Sequence, residues 1–359
     1  MYNLDQGVPV ERHTEQSIRK FCNSVLLSLG ATEEEAEITS DGLVTASLWW
    51  HPGQGQGLEK LFRYKRRILN GGITPAAEMV WLKDNQSIAL LDAKKGLGYV
   101  SAHKAMEKAV QKAKTSGISM VSVCHSNHFG IAGYHAKCAA DRGLVGLAMT
   151  NAGAEMAPWG SATPILGTNP WGISIPRSDE RDPIVLDMAL TQSGKGMMRW
   201  LRRQGSSMPK SWALTEEGST TEDPMAADSG VLLPMGDYKG YGLSLITDIL
   251  TGVLTGSLFG SKVFQDDANF DVAHTMIAIN IESFMDKTLF EQRLEVLLSE
   301  VLNAPPIDPN SPVQLPGQAE QARALKRQKE GIPIDKQTIN GLQKLATELN
   351  IPFLANKVT

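Results

Sequence analysis

Cysteine is scarce in this sequence, and none of it is spaced for metal. Cys22, Cys124 and Cys138 form no CxxC pair, and an odd count argues against a disulfide framework. Reduced thiols and a cytoplasmic chain are therefore expected. No run of about 18 apolar residues occurs. Met1 to Thr14 is polar and acidic and lacks a basic start followed by an apolar stretch, so neither a membrane span nor a secretory leader is read here. Positive charge is not in excess either: 35 Lys and Arg face 39 Asp and Glu, for a net charge of -4. That balance excludes the basic footprint of a nucleic-acid or anionic-lipid binder and leaves small molecules as the expected partners. Two phosphate signatures are also missing, the GxGxxG of dinucleotide folds and the Walker P-loop.

What the sequence does have is enough apolar material for a large core. Its 359 residues are 42% hydrophobic and 21% charged, the composition of a folded chain of two or three packed units. Thr14 to Asn70 reads as mostly helical. Thr14 can cap a first helix whose apolar stripe runs from Ile18 through Phe21, Cys22, Val25, Leu26 and Leu29 to a stop at Gly30. Thr32 and Glu35 form a second capping box. The Gly- and Pro-rich stretch between Trp50 and Leu58 predicts a loop.

Strand-like runs follow at 87–92, 118–124, 145–150, 172–175 and 184–188, with helical stretches at 101–114 and 132–142. This alternation predicts an α/β core with some parallel strands. The most apolar helix, 240–256, is expected to pack on more than one side. A proline-rich connection around Pro305 to Pro316 precedes two terminal helices, 318–330 and 335–349.

Several segments can carry chemistry. His125 and His128 follow an apolar strand and precede a helix, where ligands of open α/β sheets bind, and histidine exchanges protons near neutral pH. On residues alone they read more readily as structural hydrogen-bonders, and least readily as a His-x-x-His metal pair. The turn-rich Gly160 to Pro170 can bring backbone amides to a phosphate or be an ordinary turn. Lys195 and Lys239, both beside glycines, can reach an anion or lie in solvent. Lys65, Arg66 and Arg67 read as a solvated helix face, and the acidic run Ser178 to Glu180 could repel an extra phosphate.

Taken in order, six segments resemble the malate/L-lactate dehydrogenase-like family, which includes ureidoglycolate, sulfolactate and diketogulonate dehydrogenases and cyclic ketimine reductases. They are HSNHFGIAGYHA from His125, APWGSATPILGTNPWGISIP from Ala157, VLDMA from Val185, SWALTEEGSTTEDP from Ser211, DYKGYGLSLITDILTGVL from Asp237 and LPGQAEQARALKRQKEGIPI from Leu315. The resemblance covers nearly the whole chain. It implies a mixed-sheet α/β core of the sulfolactate dehydrogenase type that is not a Rossmann fold, spanning 76–315. A helical domain, 1–75, would be joined by 316–359. It further implies a homodimer, NAD or NADP as cofactor, and no metal. By this likeness His128 is the proton donor and acceptor. Gly167, Thr168, Asn169, Asp187, Met188, Ala189, Lys195, Gly317, Gln318 and Glu320 would lie at the cofactor, and Gln56, Lys60, Tyr64, His125 and Lys239 at the substrate.

One loop departs from the pattern. Where family members carry Ser-His-Gly and, three residues later, Arg, this chain reads Gly55-Gln56-Gly57 and then Lys60. A glutamine amide does not titrate, and a lysine lacks the guanidinium fork. The sequence thus predicts a nicotinamide-dependent oxidoreductase acting on a small 2-oxo or 2-hydroxy acid or a cyclic imino acid. A cofactor-holding sensor or partner subunit that has lost turnover is the alternative.

Overall fold

In the computed structural model, residues 8–49, 57–178 and 181–355 are described. The first unit contains β1 (Val10–His13), α1 (Glu15–Ser28), α2 (Glu33–Trp49) and α3 (Lys60–Leu69). Then follow β2 (Val80–Asp84), β3 (Ile88–Asp92), α4 (Gly98–Ser116), β4 (Ile118–Ser126), α5 (Ala132–Ala140), β5 (Val145–Thr150), β6 (Trp171–Ile175) and β7 (Ile184–Met188). The chain continues through α6 (Lys195–Gln204), β8 (Ala213–Leu214), α7 (Pro224–Ser229), β9 (Val231–Leu232), α8 (Tyr238–Asp248) and β10 (Val272–Ile279). It closes with α9 (Lys287–Leu302), α10 (Gln318–Glu330), β11 (Ile332–Asp335) and α11 (Lys336–Glu348).

Local signals form the helix starts as expected. Thr14 Oγ1 accepts the Ser17 N–H at 3.2 Å. The Thr32 hydroxyl accepts the Glu35 N–H at 3.2 Å while Glu35 accepts the Thr32 N–H at 3.1 Å, so two otherwise orphaned donors are satisfied reciprocally. Asp335 caps α11 through the amides of Gln337 and Thr338. The expected loop at 51–56 and the acidic pair 179–180 lie outside the described residues.

Seven strands form the main sheet in the order β2-β3-β4-β10-β5-β6-β7. Only β3 and β4 run parallel; the other neighbours are antiparallel. The sheet is mixed and open, so the α/β expectation holds with less parallel pairing than the alternation suggested. Its central strand, β10, does not stand out in the sequence because polar His274 and Thr275 interrupt its apolar run. Inside the sheet their groups are paired: His274 Nδ1 lies 2.8 Å from Thr150 Oγ1, and Thr275 Oγ1 lies 3.0 Å from Ser122 Oγ. Alanines at 102, 105, 109 and 113 let α4 lie close on this sheet.

The two chain ends pair as a small antiparallel sheet, β1 with β11. The core beneath it is shared: Ile18, Leu26, Leu43 and Leu342 pack in one cluster with Tyr99, Ile131 and Val185 of the sheet layer. The helix expected to pack on more than one side buries only one side within the isolated chain. Its buried side holds Gly240, Ser244, Thr247 and Asp248, whereas Leu245, Ile246, Ile249, Val253 and Leu254 are exposed on the isolated chain. Small hydroxyl residues face inward because the helix sits tightly on the loop at Gly167–Asn169: Ser244 Oγ donates to the Gly167 carbonyl and Asn169 Nδ2 to the Ser244 carbonyl. Arg67 also departs from the solvated face read for it. It is buried, with its guanidinium 3.7 Å from the Phe270 ring centre.

Burial pushes both His135 and His274 down from 6.5 to about 3, so each is neutral in the fold and titrates normally when unfolded. The unfolded chain then binds more protons below pH 6.5, and stability falls as the pH drops from 6.5 towards 3. His135→Gln removes one such group. In urea titrations at pH 7.5 and 5, the stability advantage of the parent over the variant is expected to shrink by roughly 1.4 kcal/mol per pH unit below 6.5. An unchanged advantage would contradict a neutral His135.

Candidate functional site

The loop leaving β4 places His128, and three local constraints fix its course. Asn127 is fully buried, and its side-chain amide donates to the carbonyls of Gly72, Lys95 and Gly96 at 3.0 to 3.2 Å. Gly98, the first residue of α4, lies so close beneath the loop that a Cβ there would sit 2.1 Å from the Asn127 carbonyl oxygen and 2.4 Å from that of His128. Gly130 takes φ +87°, and its N–H donates to His128 Nδ1 at 2.9 Å. The bulge in β10 between Val272 and His274 lies opposite this end of β4.

The other ring nitrogen, His128 Nε2, lies 3.2 Å from Lys60 Nζ, although the two residues are 68 positions apart. Lys60 opens α3 and is only 4% exposed. Burial, reinforced by Arg63 and Arg67 and opposed by Glu155, holds its amine well below the usual lysine range. Burial first, then Lys60, Arg63, Arg67 and His274, holds the His128 imidazole well below its ordinary value, although the ring keeps part of its surface open on the isolated chain. Burial also raises the Glu155 carboxyl, against the pull of Lys195, Arg199, Arg63 and Lys60. The result is one imidazole beside a buried lysine amine, with basic residues of α3 near it, of which Arg67 is paired with Asp267.

His125 does not join His128. Its backbone has φ +51°, its side chain is 46% exposed, and Nδ1 lies 3.1 Å from Asp92 Oδ1. Asp92, Cys124 and His125 bring their ligand atoms within 4.8 Å of one another, but Asp92 is already ion-paired to Lys94 at 2.8 Å. Tyr64 is 3% exposed in the helical core, and Lys239 lies exposed at the start of α8. Gln56 falls outside the described residues.

A second concave region lies where β7 meets the start of α10. Trp49, Val185, Leu186, Asp187, Pro316, Gly317, Glu320 and Gln321 line a cavity of about 190 Å³. Asp187 Oδ2 accepts the Gly133 N–H at 2.7 Å at the first turn of α5. Burial, with Glu320 adding to it, raises its carboxyl from 3.8 to about 7, against the lowering effect of that N–H. Met188 ends β7 opposite Trp171, and Ala189 follows it. Gln318 turns back so that its side chain accepts the Leu315 N–H at 3.0 Å.

The remaining expected cofactor residues are elsewhere. Gly167, Thr168 and Asn169 form the turn beneath α8. Asn169 is consumed structurally, accepting the Ala152 N–H and donating to the Ser244 carbonyl. Lys195 begins α6 and donates to the Asp228 carbonyl at 2.8 Å. The sequence reading missed Arg63, Arg67, Glu155, Arg199 and the clamp role of Asn127. Arg63 was detectable in principle, since it lies three residues after Lys60 and hence on the same helix face.

Comparison with known proteins places nearly the whole chain in one family. The family model for malate/L-lactate dehydrogenase matches residues 13–343. The malate dehydrogenase of Pyrococcus abyssi is 35% identical over 352 residues, covering 96% of each chain. The crystal structure of malate dehydrogenase from Entamoeba histolytica superposes with a TM-score of 0.90 at 31% identity, covering 96% of this chain and 99% of that one. Sulfolactate dehydrogenase from Methanocaldococcus jannaschii superposes with a TM-score of 0.87 at 33% identity, covering 96% and 98%.

Asp187 supplies a stability test of the second region. Its carboxyl ionises near 3.8 when unfolded and near 7 in the fold, so the folded chain binds the extra proton between those values. The stability this lends is full below 3.8 and is lost as the pH rises through 7. Asp187→Asn keeps an acceptor for Gly133 and removes the titration. Between pH 5 and 8, thermal melts are expected to show the parent losing ground relative to the variant; a constant difference would rule out the raised carboxyl.

Proposed function

The chain belongs to the malate/L-lactate dehydrogenase family, and we propose that it moves a hydride between NAD or NADP and a small 2-oxo or 2-hydroxy acid or cyclic imino acid, with His128 as proton donor and acceptor. The observation that carries this reading is His128 itself: a clamped imidazole whose Nε2 lies 3.2 Å from the buried Lys60 amine, in the field of Arg63 and Arg67. An anionic substrate entering there gains counter-charge for its carboxylate and a proton-bearing ring for its reacting oxygen or nitrogen.

The residues present suit a nicotinamide dinucleotide. The cavity at Asp187 and Gly317 has apolar walls in Trp49 and Val185, with the carboxyls of Asp187 and Glu320 beside them, a combination that accepts a ring carrying amide or hydroxyl groups. When bound, the cofactor supplies or accepts the hydride. This chain's residues orient the substrate anion and move the proton. The retained His128 and its basic surroundings favour turnover over a cofactor-holding role. The replacement of the family's histidine and arginine by Gln56 and Lys60 favours a substrate other than malate or lactate.

Two experiments test the reading. His128→Ala is expected to keep cofactor affinity in a fluorescence titration. It should also lower turnover at least about 100-fold on whichever substrate emerges from a panel of 2-oxo acids and cyclic imines assayed with NADH and NADPH in parallel. Full activity in the variant would remove His128 from the proton role. The outward leucines and isoleucines of 245–254 support a homodimer, since so large an apolar face is costly in water. Light scattering is expected to give a dimer for the parent and a monomer for Ile246→Asp/Leu254→Asp; a monomeric parent would overturn the assembly.

A further inference from the structure

Lys60 is a buried lysine with no carboxylate partner among the described residues. It is 96% buried by its 4% exposure, its amine makes no ion pair with a carboxylate among the described residues, and its one polar contact there is His128 Nε2 at 3.2 Å. The opposite ring nitrogen constrains the proton count. His128 Nδ1 accepts the Gly130 N–H at 2.9 Å and so carries no proton. A neutral imidazole must then hold its proton on Nε2, the nitrogen that faces Lys60. An ammonium there would meet N–H with N–H. A hydrogen bond at this distance forms when the lysine nitrogen is the acceptor, and only an uncharged amine can accept.

We propose that Lys60 and His128 hold a single proton between them, on His128 Nε2 with Lys60 as a neutral amine, and that the pair takes up a second proton from solvent as an anionic substrate enters. The surroundings agree on every side. From α3, Arg63 and Arg67 face the pair; from α6, Arg199; and from β10, the neutral His274; Glu155 acts on Lys60 but is itself shared with Lys195, Arg199 and Arg63, and the neighbouring Glu59 is paired with Arg203 at 3.0 Å. A substrate carboxylate or sulfonate supplies the missing counter-charge, and Lys60 becomes an ammonium that binds it.

This second half rests on the function proposed above, and it resolves a difficulty there. A neutral imidazole with Nδ1 engaged by Gly130 would become an imidazolate if it surrendered its last proton. With two protons on the pair, His128 Nε2–H would give its proton to the substrate oxygen or nitrogen as a bound cofactor supplied hydride to the carbon, and the Lys60 ammonium would pass its proton to the vacated Nε2. The pair then returns to its one-proton state. Atoms and charge balance, and Lys60 is a catalytic partner of His128, which an arginine at this position cannot be because it stays charged.

The test has two arms. In the ligand-free protein labelled with ¹⁵N-histidine and ¹⁵N-lysine, assigned by loss of the Lys60 signal in Lys60→Arg, NMR at about pH 7 is expected to show His128 as the Nε2–H tautomer and Lys60 as a neutral amine. An imidazolium, an Nδ1–H tautomer or a charged Lys60 overturns the proposal. In the second arm, oxamate is titrated calorimetrically into the protein saturated with reduced cofactor, in buffers of different ionisation enthalpy. About one proton is expected to be taken up per oxamate bound by the parent and none by Lys60→Arg; equal uptake in both overturns the substrate-linked half. Failure of cofactor or oxamate to bind counts against the function proposed above, while the NMR arm still decides the resting pair.

Discussion

Everything at the candidate site depends on how closely the chain at Asn127–Gly130 lies on the first turn of α4. The Asn127 amide holds three carbonyls from two separate turns, and the absence of a side chain at Gly98 lets the loop backbone descend to that depth. The same descent brings the His128 ring to Lys60, a residue of the helical layer. The geometry of the candidate site and the junction between the two layers are therefore one piece of construction. An unpaired buried amide or carbonyl costs about 1–3 kcal/mol, so a loop with this many satisfied groups resists rearrangement.

The shared core has a similar consequence. Residues of α1, α2 and α11 pack with Tyr99, Ile131 and Val185, so the helical layer is not a detachable unit. Lys60 is contributed by one layer and His128 by the other, which makes their spacing depend on that packing. The basic face beside them follows from helix geometry: Lys60, Arg63 and Arg67 recur at three- and four-residue spacing along α3 and lie on one face. Arg67 on this face is balanced by Asp267 at 3.7 Å, whereas Lys60 has no carboxylate partner among the described residues.

What could be read in the sequence was mostly local. The Thr32–Glu35 box and the Thr14 and Asp335 caps are decided by residues within one turn, and α10 begins and ends where its composition changes. The central strand β10 was hidden because its His274 and Thr275 become acceptable only once Thr150 and Ser122 of neighbouring strands meet them. His128 was visible as a motif. Its contact with Lys60 was not, because 68 residues separate them and nothing local specifies which helix face turns towards the loop. Glu155 and Arg199 act on Lys60 for the same long-range reason. Asn169 shows the converse: a residue expected at the cofactor has its amide spent on the turn beneath α8.

A family fold with Gln56 and Lys60 in place of histidine and arginine can still serve a nicotinamide cofactor. Calorimetric titration of the purified protein with NADH and with NADPH tests it most directly. Saturable binding of at least one of them, at one molecule per chain, is the predicted result; absence of binding by both would contradict it.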